Sequence, residues 1–319
     1  MLKYVLKRIL LMFFVLFCIV TICFMLIRML PMTKPQGNVA QQQLVEERWE
    51  ALGYEKPLIE QYGIYLKNIF TEFDFGTSWY IQYRAPALDV ITDRLLPTVL
   101  VNLYSLLFST PLGIAFGIYA AIKKNKWQDH VISTAVMIFV SIPSYVYAFL
   151  VQYFLGFWGG LELDVYSLQE AGGSWFTAKM LYSMILPILA LSFGSIAGLC
   201  RFTRAELTES LTSDYMLLAR AKGLTRAQAT TRHALKNAMV PILPSIIASF
   251  IGILGGSMII EQIFGIPGVG KLFIQSIQLR DYDVFMMDCV FYTFIGLAAG
   301  IVVDISYGFI DPRIRMGEK

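Results

Sequence analysis

The stretch RFTRAELTESLTSDYMLLARAKGLTRAQATTRHALKNAMVPILPS, residues 201–245, is a polar interval between two apolar blocks. Its local signals are clear. Thr212, Ser213 and Asp214 offer N-caps, YMLLARAK favours helix, and Gly223 supplies the left-handed position that ends it. The stub spans two to three turns, roughly 12–14 Å. Thr225-x-x-Gln228 is a capping box that opens a second helix running to about Asn237. Pro241 and Pro244 mark the entry to the next apolar block. Tyr215, Leu218, Ala219 and Lys222 share one face of the stub, and small Ala219 and Ala221 allow close approach. Arg220 and Lys222 oppose the negative end of its dipole. So short a helix needs tertiary docking, on its own bundle or on another protein.

The flanks read as membrane. The 319 residues are 56% hydrophobic and only 15% charged, with mean hydropathy +0.60, well below the charge content of soluble domains. About 20 apolar residues span a bilayer core as a helix. ILLMFFVLFCIVTICFMLI, residues 9–27, is the first such run, behind Lys3, Lys7 and Arg8. It is too long for a signal-peptide core, and no small-x-small cleavage site follows. Further spans are expected at about 97–121, 131–156, 180–200, 241–262 and 285–310. Their prolines (Pro111, Pro143, Pro187, Pro244) and glycines suit a bundle of moving helices or simply close packing.

Six spans put both termini on one side. With the N-terminus inside, segments 1–8, 122–130, 201–240 and 311–319 hold 16 of the 26 Lys/Arg, so the positive-inside bias selects N-in and C-in. The expected fold is an all-α integral membrane protein of six transmembrane helices. It divides into an N-terminal helix (1–30), an extracytoplasmic loop (31–96), a five-helix core (97–310) and a tail (311–319). The outer loop interleaves Glu46, Glu47, Glu50, Glu55 and Glu60 with Leu44, Trp49, Leu52, Leu58 and Ile59. This pattern predicts an amphipathic helix on the membrane or a partner, or else a solvated cap.

Net charge +3 without a basic run does not support nucleic-acid binding. Cys18, Cys23, Cys200 and Cys289 form no C-x-x-C pair, and His130 and His233 are isolated, so neither a disulfide framework nor a metal site is indicated. FGIPGVGKLF, 264–273, nearly matches a phosphate-binding P-loop, but Leu272 replaces the Ser/Thr that would hold Mg²⁺, and a membrane span precedes it. Gly265, Pro267, Gly268 and Gly270 are instead expected to form a tight outer turn, with Ile266, Val269, Leu272 and Phe273 tucked onto the bundle.

The run YMLLARAKGLTRAQATTRHALKNAMVPIL resembles the EAA loop of ABC-importer permeases of the dipeptide/oligopeptide/nickel group. The match comprises Ala219-Arg220-Ala221-Lys222-Gly223-Leu224, Arg232-His233-Ala234-Leu235-Lys236-Asn237-Ala238 and Pro241. Ile27-Arg28-Met29-Leu30-Pro31, Leu52-Gly53-Tyr54-Glu55-Lys56-Pro57-Leu58 with Gln61-Tyr62, and Phe75-Gly76-Thr77-Ser78 extend the resemblance. So do Ser141-Ile142-Pro143-Ser144, Arg280-Asp281-Tyr282 and Asp311-Pro312-Arg313-Ile314-Arg315. Many relatives read P-G-D-P where this chain has Pro31-Met32-Thr33-Lys34. The first helix plus long outer loop is similar to the "B" member of the permease pair.

The resemblance implies a multi-pass subunit in a bacterial or archaeal inner membrane. It would act in an ATP-driven importer for di- or oligopeptides, with nickel chelates or oligosaccharides as relatives' alternatives. Implied partners are a second homologous permease, two ATP-binding subunits carrying ATP and Mg, and an extracytoplasmic binding protein or lipoprotein. This chain itself would bind no cofactor and catalyse nothing. Ser213, Asp214, Tyr215, Leu218, Ala219, Arg220, Ala221, Lys222, Gly223 and Leu224 would form the coupling helix that seats in an ATPase groove. Among acids in the last two spans (Glu261, Asp288, Asp304), Asp288 and Glu261 are pathway candidates, since ionisable residues in spans face the interior. Lys271 and Arg280 are candidates for binding-protein contact. An ATPase-independent secondary transporter would need midplane ion pairs or inverted repeats, and an intramembrane hydrolase a catalytic constellation. Neither is evident. A scaffold that only docks an outer protein is the third alternative, and co-purified ATPases would distinguish it.

Overall fold

A computed structural model describes residues 2–31 and 39–310, with side chains at 5–31 and 42–306. The motif Asp311–Arg315, the tail, and most of the divergent Pro31–Lys34 segment lie outside the described residues. Helix α1 is Leu2–Arg28, followed by α2 (Val39–Ala51) and α3 (Leu58–Glu72). Then come α4 (Ala87–Ile122), α5 (Trp127–Ser141), α6 (Ser144–Val151) and α7 (Ala178–Ser183). Next are α8 (Ile185–Leu211), the stub α9 (Asp214–Ala221), α10 (Arg226–Ala229) and α11 (Leu235–Gly252). Helices α12 (Met258–Ile263), α13 (Val269–Gln278) and α14 (Tyr282–Ile310) complete the described chain. Among the described residues the only β feature noted is an isolated bridge between Thr77 and Pro86.

Among the described residues five helical stretches are long and apolar enough to cross a membrane, or six where a bent pair is counted as one span. The expected span 131–156 is that pair: α5 and α6 with its π-helical continuation Gln152–Phe157, bent by 102°. The cause is Pro143. It has no N–H to continue the ladder and forces Ile142 into extended backbone (φ −86°, ψ 127°). A second difference concerns Pro241 and Pro244. They do not mark the entry to a span; they lie inside α11, which runs on from α10 through a π turn at Thr230–Ala234. Neighbouring helices re-satisfy the freed carbonyls in such spans. Helix α8 likewise extends the expected span 180–200 by eleven residues, to Leu211.

The chain forms two compact units. One comprises 1–98, 254–258 and 267–298; the other comprises 99–253, 259–266 and 299–319. In the first, Val20, Phe24, Ile27, Tyr65, Tyr282 and Met286 form one apolar core, and Phe75, Val90, Ile91, Val269, Leu272 and Val284 belong to another. The expected inward turn of Val269 and Leu272 is therefore seen, and Ile266 is fully buried too. Gly265 takes φ +65° in the turn, but Gly270 is a buried residue of α13, capped by Gly268.

In the second unit α4 and α8 pack closely. A Cβ on Gly113 would lie 2.9 Å from Leu199 Cβ, and one on Gly117 2.6 Å from Thr203 Cβ and 2.7 Å from the Cys200 carbonyl. This is small-xxx-small packing, which lets helices associate where lipid offers no hydrophobic drive. Close packing, one of the two readings of these glycines, is what the geometry shows at this pair. Gly117→Val is expected to cost about 1–3 kcal/mol, since backbone cannot retreat like a side-chain tip. Gly198→Ala meets nothing within 4 Å and serves as the control in thermal unfolding of the purified assembly. Equal melting of both variants would refute the packing account.

Candidate functional site

Helices α4, α8 and α11 line a half-open cavity of about 410 Å³ in the second unit. Ser105, Ser109 and Thr110 of α4, Ser195 and Gly198 of α8, and Ser245 and Ser249 of α11 supply its small and polar lining, together with Asn102. Ser105 and Ser192 hydroxyls lie 3.0 Å apart and pin α4 to α8 at its edge. The wall offers hydroxyl and amide groups that donate and accept, and its lining holds no ionisable side chain. Its volume falls within the roughly 300–1,000 Å³ of small-molecule sites.

At the other candidate region, the stub α9 is built as its residues dictate. Gly223 adopts φ +89°. The Gly223 N–H donates to the Arg220 carbonyl and the Leu224 N–H to the Ala219 carbonyl, the two bonds of a Schellman cap. The Thr225–Gln228 capping box is complete in both directions. Ser213 is the N-cap residue, although its hydroxyl turns back to the Ser210 carbonyl. Met216 and Ala219 are buried against Ala121, Leu207, Ala229, Ala234 and Ala238. Ala219 thus faces the chain's own bundle, away from Tyr215, Leu218 and Lys222, because Met216 and Ala219, three apart, form the inward stripe. Tyr215, Leu218, Arg220, Ala221, Lys222 and Gly223 are exposed, as is Asp214; Ser213 and Leu224 are half-buried. Leu217, at 67% exposure, joins the outward apolar face and was not singled out from sequence. Nearby, Asp129 at the start of α5 receives two bonds from Arg204 of α8, at 2.5 and 2.8 Å.

A third constellation, in the first unit, was not assembled from sequence. Asp283 pairs with Arg28 at 2.8 Å, both side chains almost fully buried. It also accepts from the Tyr54 hydroxyl and, at 3.0 Å, from the Thr77 N–H. The Arg28 guanidinium stacks 4.2 Å over the Tyr54 ring. Burial, then the Asp283 charge, pushes the Tyr54 hydroxyl well above the usual tyrosine range, so it stays a donor. Two residues away, Asp281 collects the Ser78 hydroxyl at 2.7 Å and the N–H groups of Trp79, Tyr80 and Ile81 at 3.1, 2.9 and 3.0 Å. Successive N–H groups converging on one carboxylate form an anion nest. The scattered motifs Arg28, Tyr54, Thr77-Ser78 and Asp281 are therefore one another's ligands. A signal existed: two acids open an apolar span, where each requires partners.

The remaining candidates fall elsewhere. Asp288 on α14 and Glu261 on α12 are buried, and the cavity lining includes neither. Lys271 is half-buried on α13, and Arg280, at φ +59°, is exposed.

Residues 113–316 match the binding-protein-dependent transport system inner membrane component, and residues 1–101 its N-terminal companion. The chain belongs to this permease family. It is 36% identical over 316 residues to the dipeptide transport system permease protein DppB of Lactococcus lactis subsp. cremoris (strain MG1363), covering 99% of this chain and 100% of that protein. It is 32% identical over 318 residues to the glutathione transport system permease protein GsiC of Escherichia coli (strain K12), covering 99% of each. A crystal structure of an amino acid ABC transporter with histidines superposes with TM-score 0.53 at 18% identity, over 70% of this chain and 94% of that one. That likeness carries the fold. The permease is thus a multi-pass inner-membrane subunit of an ABC importer of the peptide family, one component of a binding-protein-dependent system.

Proposed function

We propose that this permease carries di- or oligopeptides, with the cavity of α4, α8 and α11 as its share of the route. The observation that carries the reading is the lining of Ser105, Ser109, Thr110, Ser195, Ser245, Ser249 and Asn102. Hydroxyls and an amide can hydrogen-bond any peptide backbone without selecting side-chain charge, and without holding the solute so tightly that it cannot leave. Two relatives named for dipeptide and glutathione transport support a short peptidic solute. A second permease would supply the facing wall, and an extracytoplasmic binding protein, contacting Lys271 and Arg280, would deliver the cargo. Both termini lie inside, as the charge bias indicates.

Two separate ATP-binding subunits, holding ATP and Mg, drive the exchange between inward- and outward-facing states. They act through α9, whose outward Tyr215, Leu217, Leu218 and Lys222 seat on them. Asp288 and Glu261, buried outside that lining, stay candidates for a further part of the route. The test is uptake of radiolabelled dipeptide by proteoliposomes holding the whole transporter. Ser195→Phe, which fills the cavity, is expected to reduce uptake several-fold while the subunits still co-purify. Undiminished uptake would move the route elsewhere. Mass spectrometry of the ligand released from the co-purified binding protein identifies the cargo directly.

A further inference from the structure

Helix α3 follows the first span by some thirty residues in sequence, yet it packs far down its side. The Tyr62 hydroxyl bonds the Thr21 hydroxyl, and the Phe24 ring lies 5.2 Å from Tyr62 and 5.0 Å from Tyr65. Leu16, Val20, Leu58 and Tyr62 share one apolar cluster. Thr21 is seven residues short of Arg28, about 10 Å along the helix axis. It lies within the apolar run 9–27, so the Tyr62 side chain reaches hydrocarbon depth beside that span.

Its surface divides into three faces. Leu58, Tyr62, Tyr65 and Ile69 pack on the bundle. Ile59, Gly63, Leu66 and Phe70, spaced four, three and four, form a second stripe about a quarter-turn away. This stripe is open at both ends, where Ile59 is 79% and Phe70 80% exposed, with Leu66 half-buried between them. Glu60, Lys67 and Thr71 occupy the third face and are exposed. A helix in water would have no reason to separate its exposed residues into an apolar stripe and a polar one. At the same depth α1 exposes Phe17, Ile22 and Leu26, an apolar surface suited to acyl chains.

We propose that α3 is an interfacial helix, embedded in the leaflet at the Arg28 end of α1. Ile59, Leu66 and Phe70 rest against lipid acyl chains, and Glu60 and Lys67 point to the headgroups and water. The depth agrees with the roughly 5–10 Å to which interfacial helices bury their apolar face. The region after the first span is then in part a membrane element rather than a solvated cap.

The whole transporter in proteoliposomes tests this with spin labels at Ile59→Cys, Phe70→Cys, Glu60→Cys and Lys67→Cys. The unsubstituted chain is used to subtract native thiols. Labels at 59 and 70 are expected to relax several-fold more with oxygen than with a water-soluble nickel chelate, and labels at 60 and 67 the reverse. Chelate access at 70 equal to that at 67 means a solvated face and overturns the proposal. Loss of access to both relaxants at 70 means a protein partner covers the stripe and overturns it equally. Phe70→Trp gives an independent reading: lipids brominated in the acyl chain should quench the added fluorescence, and its persistence would speak against lipid contact.

Discussion

Asp283→Ala is expected to melt the transporter assembly far below the wild type, with a loss of about 3–5 kcal/mol. Removing one member of a buried ion pair leaves the other charge without compensation. Here the stranded group would be Arg28, whose side chain is 4% exposed, and the Thr77 N–H and Tyr54 hydroxyl would lose their acceptor as well. A Cβ on Gly76, at φ +106°, would lie 2.5 Å from the Asp283 carboxylate, so glycine at that position makes room for the acid. The double variant Arg28→Met with Asp283→Leu should recover much of the loss, because well-packed apolar groups often replace a buried pair at little cost. Thermal unfolding monitored by size-exclusion chromatography reads both. A single variant as stable as the wild type would show that the pair is incidental.

Gly223→Val should leave the permease assembled but abolish most of the peptide stimulation of ATP hydrolysis. A β-branched residue at φ +89° is a strained outlier costing of order 1–3 kcal/mol. Relief requires the Schellman cap to open, which frees Leu224 from Ala219 and lets α9 swing off its seat on Met216 and Ala219. No atom lies within 4 Å of a Cβ at this site, so the effect acts through backbone geometry alone. Thr225→Ala, which loses one arm of the capping box, should cost about 1 kcal/mol and stimulate less than wild type but more than Gly223→Val. Wild-type stimulation in Gly223→Val would mean that α9 only braces the bundle.

Much of this molecule is written in local pattern. Apolar runs longer than a bilayer is thick force helices, because a backbone in lipid must bond to itself, and so the spans were legible to within a few residues at α1 and α14. The stub was legible for a different reason: caps, a glycine and a capping box act over four or five residues and need no distant partner. The kink at Pro143 and the unbroken run through Pro241 show where that reasoning weakens. A proline's missing N–H is local, but whether neighbours re-satisfy the carbonyl is a matter of packing.

Contacts between distant segments were not legible at all. Nothing in the spacing of Arg28, Tyr54, Thr77 and Asp283 announces that they meet, since 255 residues separate the ion pair and each has an ordinary surface reading by itself. The same holds for the inward turn of Ala219, the near-contact at Gly117 and the three faces of α3. Periodicity says that a face exists; only the tertiary arrangement decides what covers it. For this permease the chain's local chemistry determined that it spans a membrane and where the short capped helix α9 lies. The folded arrangement decided which hydroxyls share a cavity, which charges neutralise each other, and which apolar stripe is left for lipid.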